Sequence, residues 1–117
     1  MYRNKSIAVV VPAYNESKQI SKVIRTMPTM VDHIVVIDDK SSDGMSAVVE
    51  DERRSDHRVT LIRHEINQGV GGAIATGYKW VRDQGIDVAV VMAGDGQMDP
   101  DDLEKIVDPV ASGRVDY

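Results

Sequence analysis

The side chains best suited to chemistry fall in four short polar stretches, each placed after an apolar run. Pro12-Ala13-Tyr14-Asn15-Glu16 follows Ile7 to Val11, and Asp38-Asp39-Lys40-Ser41-Ser42 follows Ile34 to Ile37. Asn67-Gln68-Gly69-Val70-Gly71 comes after Val59 to Ile62, and Met92 to Pro100 continues from Val88 to Val91. Three of these stretches carry acids, and all four carry hydrogen-bonding side chains. Acids crowded on one edge repel one another unless a cation or ligand donors compensate. Oxygen-rich loops without cysteine suit a hard divalent cation and the phosphates it carries. In the last stretch Asp95, Gln97 and Asp99 supply such oxygens. Asp99, directly before Pro100, also has the pattern of a helix cap with proline at the first helical position. We therefore expect Asp99 mainly to cap and Asp95 to be the functional acid.

Each of the other stretches has a plainer role beside the functional one. Tyr14 either contributes to a site or covers a sheet edge, and Glu16 either binds or serves a helix dipole. Asp38 and Asp39, with Ser41 and Ser42, are either ligand-facing acids or turn and cap chemistry. Gly69 and Gly71 either serve tight helix–strand packing or let a backbone approach phosphate or ribose at a helix start. His33, His57 and His64 show no ligand spacing and are expected at surface positions beside strands.

The elements that must position these residues repeat one unit: a short apolar run, a polar loop, then a helical pattern. Continuous β-branched runs such as Ile7-Ala8-Val9-Val10-Val11 and Ile34-Val35-Val36-Ile37 suit strands buried on both faces. Between them, Ile20, Val23, Ile24 and Met27 recur at helical spacing, with Asn15 as the expected cap and Pro28 as the stop. A second helix starts near Ser42-Asp43-Gly44 and turns Met45, Val48 and Val49 inward, with Glu50 to Arg54 expected as a solvated face. A third opens at Gln68-Gly69-Val70-Gly71-Gly72, buries some of Ala73, Ile74, Gly77, Tyr78 and Val81, and ends at Gly85. A fourth starts at Asp99-Pro100. Strands alternating with helices predict an α/β fold: a Rossmann-like open parallel sheet of about four strands, helices on both faces. Ligands bind such sheets at the carboxyl ends of the strands, where the four loops lie.

With 117 residues the chain is one domain, expected to run from 1 to 117. Phe is absent and Trp occurs once, so the core is aliphatic. A net charge of -5 argues against nucleic acid held by bulk electrostatics, but not against one anionic small molecule held locally. The lack of cysteine removes disulfides, thiolate zinc sites and cysteine nucleophiles together. No run approaches the roughly 18 apolar residues of a membrane span. Arg3-Asn4-Lys5 before Ile7 to Val11 has the order of a signal peptide, but the run is too short and Pro12 closes it. The expected location is the cytoplasm. Ala111 to Tyr117 read as the start of a further segment, so the pattern stops partway through a larger design.

Val9-Val10-Val11-Pro12-Ala13-Tyr14-Asn15-Glu16, with Val36-Ile37-Asp38-Asp39-Lys40-Ser41-Ser42-Asp43-Gly44, resembles the opening of a family 2 glycosyltransferase of the GT-A fold. Asn67-Gln68-Gly69-Val70-Gly71-Gly72-Ala73 and Gly94-Asp95-Gly96-Gln97-Met98-Asp99-Pro100 continue the resemblance in order, from about Ile7 to Val110. The Gln-Met-Asp-Pro ending points to the dolichyl-phosphate-mannose synthase-like branch. The resemblance implies an inverting transfer from a UDP- or GDP-linked sugar, with a polyprenyl or dolichyl phosphate as acceptor in a full-length protein. It places Pro12, Ala13, Tyr14, Glu16, Asp38, Asp39, Gly69, Gly71 and Asp95 around the nucleotide, with Asp39 reading the base. It places Mg²⁺ or Mn²⁺ on Asp95, with Gln97 at a further metal-side position. A metal bridging the diphosphate would stabilise the charge that develops on the departing nucleotide.

The chain also departs from the family pattern. Ala93 stands where the first acid of an Asp-x-Asp motif is common, Lys40 where a small residue is usual, and Val70 where many members carry a basic residue. The acceptor half, and any catalytic base on it, would lie beyond Tyr117. Two other classes stand beside this one. A dinucleotide-dependent oxidoreductase shares the βαβ pattern, but its glycine fingerprint belongs after the first strand, not the third. A non-catalytic nucleotide-binding module would keep the donor half-site without turnover.

Overall fold

The computed structural model describes residues 4–94. The element order is β1 (Ile7–Ala13), α1 (Ile20–Arg25), β2 (His33–Asp38), α2 (Met45–Ser55), β3 (Val59–Arg63), α3 (Gly69–Asp83) and β4 (Val88–Val91). The strands form one parallel sheet in the order β3-β2-β1-β4. β1 is central, pairing Val10 with Val35 of β2 on one side and with Val91 of β4 on the other. All seven of its residues are buried, as its unbroken apolar run requires.

Side chains of a strand alternate between faces, and the helices follow that alternation. Ile7, Val9 and Val11 of β1 and Ile34 and Val36 of β2 pack with Ile20, Val23 and Ile24 of α1 and with Met45 and Val49 of α2. Ala8, Val10, Val35 and Ile37 face the other way, toward Ala73 and Val81 of α3. A fully buried Val or Ile contributes roughly 1.5–3 kcal/mol, so these two aliphatic layers drive the fold. On the α3 face the approach is close. A Cβ on Gly77 would stand 2.3 Å from Val10 Cγ1, so only glycine lets α3 lie on the centre of the sheet.

The chain therefore winds outward from β1 through β2 to β3, then returns over the opposite face to β4 on the far side of β1. The strand order reverses between β1 and β4. In open α/β sheets this switch point opens a crevice at the carboxyl ends of the strands.

Two expectations change on this fold. Asn15 does not cap α1, which starts only at Ile20 after a turn whose Gln19 and Ile20 amides donate to the Glu16 carbonyl. Nor is the end of α2 wholly solvated. Glu52 is buried there and meets Arg25 of α1 at 2.8 Å, because α1 and α2 lie side by side on one face. α3 ends as expected, with Gly85 at a φ of 69°. The fourth helix expected at Asp99-Pro100 lies outside the described residues. No helix among the described residues is long and apolar enough to cross a membrane.

Candidate functional site

Two loops at the carboxyl edge are sewn together by backbone amides and short polar side chains. The Asn15 amide donates to Ser41 Oγ at 2.9 Å, and the Ser42 amide returns a bond to Asn15 Oδ1 at 2.8 Å. The Ser17 amide donates to Asp43 Oδ2 at 3.0 Å, while Asp43 Oδ1 accepts the Met45 amide at the start of α2. Asn15 holds a left-handed φ of 53°, a conformation asparagine tolerates better than most residues. Its role is thus to tie the first loop to the second rather than to cap a helix. Lys40, exposed, holds φ 62° without that chemical licence.

Asp38 ends β2 and Asp39 follows it, and the two point to opposite faces. Asp38 is fully buried on the α2 side. Its Oδ1 accepts the Ser41 amide at 2.7 Å, its Oδ2 accepts Ser46 Oγ, and Arg63 Nη1 stands 3.6 Å from Oδ2. It organises the turn into α2.

Asp39 turns to the α3 side, where it is 4% exposed. Its Oδ1 accepts the Gln68 amide at 2.8 Å and lies 2.8 Å from His64 Nδ1. Its Oδ2 accepts the Gly69 amide at 2.8 Å. Asn67 Nδ2 donates to its backbone carbonyl at 3.1 Å. Burial alone would raise the Asp39 pKa, but the Gln68 amide, His64 and the Gly69 amide outweigh it and hold the carboxyl below its ordinary value. The carboxylate also sits at the positive end of α3, which favours the anion.

His64 belongs to this arrangement, against the expectation of a surface histidine. It is buried, with Nε2 2.8 Å from Thr76 Oγ1, whose hydroxyl donates to the Gly72 carbonyl one turn back on α3. Strand parity held the missed signal. Ile62 packs toward α3, so His64, two residues on, faces the same way. Asp38 pairs with Arg63, which sets Asp39 beside His64.

At the switch point these elements leave a cavity of about 190 Å³. Pro12, Ala13, Tyr14 and Glu16 form the wall after β1, Asp39 the floor after β2, and Gly69, Val70 and Ala73 the wall from α3. Ala93 and Gly94 close it after β4. Gly94 packs so tightly that a Cβ on it would meet Ala13 Cβ at 2.8 Å. Tyr14 is 50% exposed and Val70 68%, so both stand at the mouth. The described wall is apolar apart from the Tyr14 hydroxyl and the carboxylates of Glu16 and Asp39, and it carries no basic side chain. An aromatic face over a cleft with a fixed anionic acceptor suits a flat heterocycle bearing N–H donors.

Six of the residues selected from the sequence, Pro12, Ala13, Tyr14, Glu16, Asp39 and Gly69, line this cavity. Asp38 does not, because it faces the other side of the sheet, and Gly71, between Val70 and Ala73 of the wall, sits at an exposed point of α3 outside the lining. Gly69 lines it, but its amide is already given to Asp39 and, at 3.2 Å, to Asn67 Oδ1. Asp95 and Gln97 lie outside the described residues. Among the described residues no group of three or more His, Cys, Asp or Glu could hold a metal ion.

The chain is 33% identical to a UDP-N-acetylglucosamine–dolichyl-phosphate N-acetylglucosaminyltransferase of Methanococcus voltae, over 97% of this chain and 51% of that protein. It is 32% identical to a polyprenol monophosphomannose synthase of Mycolicibacterium smegmatis, over 90% of this chain and 41% of that one. The chain thus spans about half the length, or less, of these relatives. Its fold is shared with a mannosyltransferase from Pyrobaculum calidifontis, solved with GDP-Man and Mn²⁺, at a TM-score of 0.74 and 22% identity over 88% of this chain and 31% of that one. A glucosyl-3-phosphoglycerate synthase from Mycobacterium tuberculosis, solved with Mn²⁺ and UDP, gives 0.73 and 21% over 94% and 41%. The model of glycosyl transferase family 2 matches residues 8–117, and the chain belongs to that family.

Proposed function

We propose that this family 2 chain is the donor-binding part of an inverting glycosyltransferase, and that residues 1–117 form its nucleotide-sugar domain. The observation that carries the reading is the buried Asp39 carboxylate, held by the first amides of α3 at the floor of the switch-point cavity. The base enters that cavity, covered by Tyr14 and Val70, and Asp39 accepts from its N–H edge. Pro12 and Ala13 give it an apolar wall, and Glu16 stands at the edge where the ribose hydroxyls would lie.

The diphosphate leaves the cavity on the β4 side, past Ala93 and Gly94. There Asp95, supported by Gln97, would hold Mg²⁺ or Mn²⁺. Solved proteins of the same fold carry Mn²⁺ with a nucleotide or nucleotide sugar, which supports that choice. The metal's contribution would be to neutralise the charge of the departing nucleoside diphosphate. With Ala93 in place of an acid, one carboxylate has to serve where two are common. The acceptor we propose is a polyprenyl or dolichyl phosphate, as the names of the relatives suggest. Its binding half and any catalytic base would be supplied by residues beyond this chain. The site would then work on the cytoplasmic side of a membrane.

Calorimetric titration with UDP, GDP and their sugars, with and without Mn²⁺, tests the reading. Saturable binding that tightens with Mn²⁺ is the expected result. A folded sample that binds none of them at millimolar concentration would overturn it.

A further inference from the structure

The cavity wall after β1 consists of Pro12, Ala13, Tyr14 and Glu16, and it skips Asn15. Asn15 is bonded to the facing loop instead. Its amide donates to Ser41 Oγ at 2.9 Å, and its Oδ1 accepts the Ser42 amide at 2.8 Å. The same stretch is anchored on either side. The Ala13 carbonyl accepts the Asp39 amide at 3.0 Å, and the Ser17 amide donates to Asp43 Oδ2 at 3.0 Å. Tyr14 thus lies between the anchors at Ala13 and Asn15, and Glu16 between those at Asn15 and Ser17. Asn15 is the anchor they share. Tyr14 is half-exposed, so packing alone does not fix its ring, and the backbone has to. That backbone turns at Asn15 through a left-handed φ of 53°. Two demands meet at this one position: a left-handed backbone and an acceptor oxygen on a short side chain. Aspartate meets both, glycine only the first and alanine neither.

We propose that Asn15 is a positioning residue for the cavity, an inference that rests on the nucleotide-binding reading above. It stays off the ligand. By locking its own stretch to the loop after β2, it fixes the Tyr14 ring at the mouth and the Glu16 carboxylate on the wall. Without the lock the stretch samples other backbone states, and only the fraction with Tyr14 and Glu16 in place is competent to bind. Apparent affinity falls by that fraction. The lock therefore preorganises the site: the stretch is ordered on folding, and no ordering cost is left for binding.

The test compares Asn15→Ala, Asn15→Gly and Asn15→Asp with the wild type, each checked for folding by circular dichroism. All four are titrated with UDP and with GDP in the presence of Mn²⁺, at about 0.3 M salt to screen the charge that aspartate adds. For whichever nucleotide the wild type binds, Asn15→Ala should lose about tenfold or more, since it forfeits the bond and resists the left-handed turn. Asn15→Gly keeps the turn and should lose about two- to tenfold, the worth of one hydrogen bond. Asn15→Asp keeps both and should stay within about twofold. In ligand-free samples the amide signals of Tyr14 and Glu16 should shift or broaden in Asn15→Ala and return toward wild type in Asn15→Asp, which a general loss of stability would not do. A folded Asn15→Ala that binds within twofold of wild type would overturn the proposal. Equal losses in Asn15→Asp and Asn15→Ala would overturn it too, because they would make the Asn15 amide nitrogen a ligand contact. In either case, binding by the wild type leaves the nucleotide reading standing. A wild type that binds neither UDP nor GDP would remove that reading, and this inference with it.

Discussion

Asp38 and Asp39 are adjacent in the chain, yet they serve opposite sides of the sheet's carboxyl edge. On the α2 side, Asp38 is fully enclosed by a local turn, with Ser41 and Ser46 donating to it and Arg63 close by. On the α3 side, Asp39 is held by residues 25 to 30 positions away and forms the floor of a cavity. The first arrangement closes on itself and leaves nothing for a ligand. The second aims a fixed anion at empty space at the switch point. In this acidic pair the alternation of the chain sends one carboxylate into a closed turn and the other to the cavity.

The largest effect should come from Asp39→Ala. It leaves the Gln68 and Gly69 amides and the facing His64 ring without their partner, and each buried group left unsatisfied costs about 1–3 kcal/mol. Urea unfolding should show a loss at or above the top of that range. UDP affinity should fall about 10- to 150-fold, the worth of roughly 1.5–3 kcal/mol for a bond to a charged group. The pH dependence has a definite sign. The Asp39 carboxyl titrates below its ordinary value in the fold, so its stabilisation is fully present above pH about 4 and is lost as pH falls through the lower, folded value. In Asp39→Asn the acid limb of the stability curve should be shallower than in the wild type.

Gly77→Val comes next. With Val10 only 2.3 Å from the added Cβ, it should cost about 1–3 kcal/mol by overpacking and lift α3 off the sheet. UDP binding should weaken as well, because α3 carries two of the amides that hold Asp39. Unchanged affinity in that variant would mean that the cavity does not depend on the α3 side.

Asp38→Asn should cost about 1–2 kcal/mol in stability, yet leave UDP affinity within about twofold of wild type. A loss of affinity equal to that of Asp39→Ala would erase the distinction between the two acids. The smallest effect belongs to Lys40→Gly. A non-glycine residue in the left-handed region costs roughly 1–2 kcal/mol, offset in part by the entropy glycine loses on folding. The net gain should be about 0.5 kcal/mol, read as a small rise in thermal midpoint.

Much of this was legible in the residues. The apolar runs gave the strands to within two residues of their ends, because continuous β-branched segments permit little else. Position alone picked the loops that hold six of the cavity residues, since polar loops after buried strands converge at one edge, and the family resemblance singled those residues out within them. What escaped depended on tertiary pairing. The one local mark of His64 is its parity with Ile62; the register of β3 on β2 is what puts it against Asp39. Asn15 has the composition of a cap, but its partners lie 26 and 27 residues away. Glu52 sits in a run of charges whose one inward member is set by how α1 lies on α2.

The most direct test maps amide ¹⁵N–¹H shifts of the chain during titration with UDP. The account predicts changes clustered at Tyr14, Gln68, Gly69, Val70 and Gly94, with Ser41, Ser46 and Met45 on the α2 side nearly still. Changes centred on Ser41 and Met45, or none on the α3 side at saturating UDP, would contradict it.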